Sequence, residues 1–300
     1  MESSLLPSLR FGHYLLLLGL FGLMAFSAGW QRLLALQGAP VLTRQVLLLG
    51  VLVANLLSGT LMLVSIGDMM GQPPLSLDHA TVEALVKSTP QGRSFLARQI
   101  LLIAAAGLLL VDGKGWLLTS LLGAAVVTLA WNGHAAAGEG AEGAFHLANN
   151  IVHLLAVGLW MGAVAGFLGQ AWRHSRTEAS SARHLLQAMQ RFAPWGISLV
   201  VLVTITGVVN IGLIIGWEDL GSAVRTPYGQ LMLAKLAVVG LILLCAAANA
   251  VLSRRCFQRA EPIDPETTVR APLTSLWAEM LLMAAALALV AVLGMTSPNA

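Results

Sequence analysis

The sequence predicts an all-α fold, a polytopic membrane helical bundle of eight transmembrane helices with both termini on the outer side. Three observations carry this. First, of 300 residues 57% are hydrophobic and only 10% charged, with mean hydropathy +0.79; soluble domains carry about 25% charged residues. Second, the apolar residues gather into eight stretches, each near the roughly 20 residues that cross a bilayer. Third, arginines crowd into alternate linkers, the pattern that orients a membrane protein. The net charge of +3 is ordinary for such a chain and gives no reason to expect nucleic acid. Cys245 and Cys256 lie in or beside one apolar stretch, so neither a disulfide framework nor a CxxC zinc site is expected.

The eight stretches fall near 11–30, 44–68, 95–111, 115–133, 146–170, 192–216, 228–252 and 273–296. The first contains "AFSAG", which resembles a signal-peptide cleavage site; it follows ten residues with one Arg and one acid, and it is expected to be retained as a span. The second carries Asn55 near its middle and closes on Asp68, Met69 and Met70. The 69–94 linker is expected to hold a short amphipathic segment around 78–88. The third and fourth stretches are joined by "DGKG", a tight turn that makes them antiparallel neighbours. The fifth follows the loop 134–145, and its "GLWMGAVAG" places Gly158, Gly162 and Gly166 every four residues, a stripe that lets helices pack closely. The sixth carries Asn210, the seventh Lys235, Cys245 and Asn249, and the eighth Glu279.

Orientation follows from the basic residues. The 171–191 linker holds Arg173, Arg176, Arg183 and Arg191, and the 253–272 linker holds Arg254, Arg255, Arg259 and Arg270. Both are expected inside. The 134–145 loop and the C-terminal tail lack Lys and Arg and are expected outside. His13, His79, His134, His146 and His153 then fall on or near the outer face. His174 and His184 fall in the basic inner linker.

Imidazole suits copper, zinc, iron and nickel, and thioether sulfur adds a preference for Cu(I). In "WNGHAAAGEGAEGAFHLANNIVHLLAVGLWMG", residues 131–162, His146 and His153 are seven residues apart. On a helix they share a face about 10 Å apart along the axis, so one ion does not easily take both. Asn149 and Asn150 lie three or four residues from each histidine and can hold a ring nitrogen. Trp160, seven residues beyond His153, either walls off a site or fills the bundle. His153 lies about two turns inside the apolar run, where a polar group is costly unless partnered.

"GHAAA" followed by "HLLAVGLWMGAVAGF" resembles the copper resistance protein D family. So do "RFAPWGISLVVLVTITGVVN", "TPYGQLMLAKLAVVGLILLCAAANAVL" and "AEMLLMAAALALVAVLGMTSPNA". The resemblance covers 131–300 as a membrane core, with 1–130 an N-terminal four-helix portion agreeing mainly in helix count, the two forming one integrated membrane domain. It implies a multi-pass protein of the bacterial inner membrane that handles copper, as Cu(I) or Cu(II), and moves it from periplasm to cytoplasm. It also implies a small periplasmic carrier of the CopC type. Nothing in the sequence corresponds to that carrier, so a separate chain is expected.

The family's histidines carry over to His134 and His153, with His146 as a further member. The short loop holds two helix ends together, so His134 and His153 are the expected core pair for copper. The third ligand is expected from His146, if the helix start is distorted, or from His79, Met69 or Met70. Lys235 is expected to pair with Asn210 or to neutralise a carboxylate such as Asp68. Glu279 with Asn249 and Cys245 would form a second polar station. The competing reading is a b-type haem protein with bis-histidine ligation. No HExxH motif, nucleophile elbow or ATP-binding motif is present, so no enzyme activity is expected.

Overall fold

The computed structural model describes residues 5–34, 36, 42–111, 113–132, 138–174, 179–258 and 265–296. Its long helices are α1 (Leu5–Ala25), α2 (Arg44–Met70), α3 (His79–Ser88), α4 (Pro90–Leu110) and α5 (Gly115–Val127). They continue with α6 (Gly140–His174), α7 (Ala179–Ile215), α8 (Pro227–Gln258) and α9 (Pro265–Leu293). Eight are long and apolar enough to span a membrane, and they fall where the eight apolar stretches place them. α3 is the exception: it is short, has no buried residue, and occupies the expected amphipathic segment.

Several helices start earlier than expected: α7 at Ala179 rather than near 192, α9 at Pro265 rather than near 273, and α4 at Pro90 rather than near 95, while α1 and α6 differ in ways that bear on the site. α1 begins at Leu5 rather than near 11, because Leu5 and Leu6 extend the apolar run and Leu6 is buried. It continues through a π-turn, Phe26–Trp30, to Leu33. That wider turn sets Phe26 against Phe167, ring centroids 5.2 Å apart, and Trp30 against Phe192 at 5.0 Å. α6 begins at Gly140, not near 146, with Gly140 at φ 65° and Glu142 in the first turn, where a carboxylate complements the helix dipole.

Local chemistry sets other boundaries. Thr89 Oγ1 accepts from Gly92 N at 2.9 Å and Pro90 follows at the first helical position, so α3 stops and α4 starts within a few residues. α2 ends at Gly71, whose φ of 64° closes the helix in the left-handed conformation.

α1 is the centre of the bundle, packing on α2, α5, α6 and α9. α2, α4 and α5 complete one half, and α6 to α9 the other. The glycine stripe joins the halves: a Cβ on Gly22 would stand 2.0 Å from the Gly158 oxygen, and one on Gly166 would meet the Phe26 ring at 2.3 Å. α1 and α6 therefore touch backbone to backbone. This fixes which way α6 turns its opposite face.

Candidate functional site

The face of α6 away from the glycine stripe carries His146, Asn149, His153 and Trp160, spaced three, four and seven residues, so they line one side of the helix. α7 and α9 pack there. The result is a polar ladder inside an otherwise apolar wall.

Its upper rungs join α6 to α7. Asn149 Nδ2 donates to the Thr206 carbonyl oxygen at 2.9 Å and to Asn210 Oδ1 at 2.8 Å. His153 Nδ1 lies 2.9 Å from Thr206 Oγ1. The hydroxyl has one hydrogen, and it sits 2.6 Å from the Leu202 carbonyl oxygen, its expected acceptor in a helix. With that hydrogen committed, Thr206 accepts from Nδ1–H. His153 then keeps its Nε2 lone pair, the tautomer that a ligating imidazole needs.

Two turns further along, Trp160 Nε1 donates to Glu279 Oε1 at 2.9 Å. Asn249 Nδ2 donates to Glu279 Oε2 at 2.6 Å. Glu279 is 2% exposed, so two neutral donors from α6 and α8 hold a carboxyl group of α9 in the interior. The Ser275 hydroxyl donates to the Cys245 carbonyl oxygen at 3.5 Å on the same side of α8 and α9.

The structure thus gathers Asn149, His153 and Asn210 around Thr206 in one polar cluster, and Trp160, Asn249 and Glu279 in a second cluster two turns along the same helix face. His146 is buried, in the second turn of a regular helix that starts at Gly140. The distorted helix start that would let it share an ion with His153 is absent. His134 lies outside the described residues. Met69, Met70 and Asp68 are exposed at the end of α2. The His79 side chain is 92% exposed and lies 3.7 Å from Glu83. α3, which carries His79, packs on α4 and α2, in the other half of the bundle from α7. Among the described residues no group of three or more His, Cys, Asp or Glu side chains is assembled for a metal.

Three expectations are corrected, one of them by Thr206, a neighbour that the sequence did not single out. Thr206, not Asn149 or Asn150, orients the His153 ring. Asn210 is engaged by Asn149 and not by Lys235. Lys235 has no hydrogen bond or ion pair among the described residues, with Asp68 or any other group, although it is close enough for its charge to reach His153. Thr206 was detectable in principle, since it lies four residues before Asn210 on the same face of its helix. Trp160 resolves as a hydrogen-bond donor rather than only as packing.

Two family models match the chain: Copper resistance protein D-like, N-terminal domain, over residues 1–144, and Copper resistance protein D over residues 186–293. Copper resistance protein D of Pseudomonas syringae pv. tomato is 32% identical over 87% of this chain and 86% of its own length. Inner membrane protein YebZ of Escherichia coli K12 is 29% identical, covering 81% of this chain and 82% of its own. Copper transport protein CutJ of Bacillus subtilis 168 is 27% identical over 42% of this chain and 22% of its own. No solved structure matches. With the two models covering most of its length and a relative at this identity aligned almost end to end, the chain belongs to the copper resistance protein D family.

Proposed function

We propose that this protein is a copper permease of the bacterial inner membrane, carrying copper from periplasm to cytoplasm without catalysing a reaction. The observation that carries the reading is the polar ladder on α6. His153 holds its Nδ1 against the Thr206 hydroxyl, which leaves Nε2 as its ligating nitrogen, and Trp160, Glu279 and Asn249 form a second station further along the same helix face. A polar group in a membrane interior is costly, and two such clusters on one helix face support a path for ions or protons. Imidazole at the entrance suits copper in either oxidation state. The names of the relatives, copper resistance protein D and copper transport protein CutJ, agree with that cargo.

In this reading His134 and the acidic loop receive the ion on the outer side. His153 takes it next, and Glu279 offers a carboxylate nearer the basic linkers, which stay inside. A soluble CopC-like carrier would deliver copper to the outer loop.

The test is copper content and uptake for His134→Ala, His153→Ala and Glu279→Gln, with His184→Ala in the basic linker as control. The first two are expected to lose bound copper, and Glu279→Gln to bind copper but transport it slowly. Full binding and uptake in all of them would sink the proposal. An absorption spectrum with a Soret band would replace it with haem ligation. Cysteine labelling from outside should reach position 139 and not 180; labelling at 180 would reverse the direction.

A further inference from the structure

We propose that the half of the bundle formed by α1, α2, α4 and α5 holds a second site, for a small inorganic anion of the halide class, centred on Arg98. Arg98 stands on α4 inside an apolar run and is 2% exposed. Its Nε donates to Ser58 Oγ at 2.8 Å and its Nη1 to Thr128 Oγ1 at 3.2 Å. Both acceptors are neutral. The Thr128 hydroxyl lies 2.6 Å from the Ala125 carbonyl oxygen, where its hydrogen goes, so it offers Arg98 a lone pair and no charge. Among the described residues no carboxylate pairs with Arg98, and residues 133–137, which follow Asn132, contain no acid. A guanidinium keeps its proton. Withdrawn from water with no counter-charge among the described residues, it is among the most expensive groups a membrane protein can hold.

Next to it is a cavity whose polar lining is Arg10, Tyr14, Ser65, Gln91, Arg98 and Asn132, with Leu61 and Met62 completing the wall and room for about one water-sized species. Each of the six polar side chains can donate a hydrogen bond, two carry positive charge, and none is acidic. Asn132 Oδ1 is buried without a hydrogen-bond partner among the described residues. Which end of an amide is oxygen is set by its surroundings, so the N–H end can turn toward an anion. His13, 0% exposed on α1 and close enough to Arg98 for its charge to be felt, has no hydrogen-bond partner among the described residues at either ring nitrogen. Arg10 Nη1 also donates to the Gly294 carbonyl oxygen at 2.6 Å, which ties the cavity to the end of α9. A water fits the space but leaves the charge uncompensated. A monoatomic anion supplies the missing charge, and the partly buried Arg10 and Gln91 side chains at the wall can give the little extra space that a halide needs beyond a water. Two guanidiniums exclude a metal cation, so this site is separate from the His153 ladder and independent of the copper reading.

The test uses the full chain purified in detergent. Melting is followed in sodium chloride and in sodium gluconate at equal ionic strength. In parallel, protein prepared in bromide is desalted into gluconate and its bromide measured by elemental analysis. Wild type is expected to melt higher in chloride, with a response that saturates, and to retain bromide. Arg98→Gln and Asn132→Leu are expected to lose both. Identical melting in the two salts with no retained bromide overturns the proposal. If Arg98→Gln does not insert, Asn132→Leu decides, because it changes only the cavity wall; an undiminished response there overturns the assignment to this cavity. Tyrosinate absorbance at neutral pH that disappears in Tyr14→Phe would mean that Tyr14 itself supplies the negative charge, and would also overturn it.

Discussion

Replacing Gly162 with alanine should loosen the bundle at the contact that orients the candidate site. The added Cβ would stand 2.0 Å from the carbonyl carbon of Gly22 and 2.3 Å from its Cα, where ordinary contact begins at 3.4 Å. These are backbone atoms of a helix and cannot rotate aside, so α1 and α6 must move apart by more than an ångström. Overpacking of this kind costs about 1–3 kcal/mol, and close approach at small residues is a main source of helix association in membranes. Gly240 on α8 is the control, because a Cβ there meets nothing within 4 Å. Gly240→Ala makes the same chemical change and removes the helix penalty of glycine, about 0.8–1.0 kcal/mol. The assay is thermal unfolding in detergent followed by tryptophan fluorescence. Gly162→Ala is expected to melt lower than wild type, and Gly240→Ala at or above it. Equal melting of Gly162→Ala and wild type would refute close backbone packing of α1 on α6, and with it the argument that fixes which face of α6 carries the ladder.

Other outcomes follow from the same contacts. Thr206→Val keeps the shape but removes the acceptor for His153 Nδ1–H; copper affinity, read by chelator competition, should fall about 10–100-fold, the usual effect of losing a residue that orients a ligand. Trp160→Phe and Glu279→Met should be non-additive in melting, with a coupling of about 0.5–3 kcal/mol because each removes one side of a single buried hydrogen bond; additive effects would mean that the bond contributes nothing. Lys235→Met should retain or gain copper, since a protonated lysine near His153 opposes a cation; copper loss in a folded variant would contradict this. Asp78 caps α3 through Thr81 N at 2.8 Å, and bonding with Thr81 holds its carboxyl below the usual carboxylate range. A lowered folded-state pKa contributes stability that is present at neutral pH and is lost as pH falls through that lowered value. Protection factors for amide exchange in residues 79–88, which correct for the intrinsic slowing of exchange in acid, should therefore fall only under acid conditions. Asp78→Ala should weaken the dependence, leaving the part that comes from Glu83, whose bonding to Lys87 also holds its carboxyl below the usual range.

What the sequence determined by itself was everything that depends on composition and period. Span number and placement follow from the length of apolar runs, which membrane thickness dictates. The α3 segment was legible from its polarity, and the family from quoted motifs spread along the second half of the chain. Glu279 and Asn249 could be matched in depth by counting turns along antiparallel helices, and the structure joins them. The face that the glycine stripe turns to α1 could not be read, because its partner Gly22 is more than a hundred residues away. Only tertiary structure decided that Thr206, and not an asparagine on the same helix, bonds His153. Nothing local to either helix sets their relative rotation. Arg98 was visible in the sequence as a charge within an apolar run. Whether it snorkels to the interface or is enclosed depends on which helices surround it, and here Ser58 on α2 and Thr128 after α5 close over it, 40 and 30 residues away. Periodicity assigns a side chain to a face of its own helix, but the identity of the helix opposite comes from the packing of all of them at once.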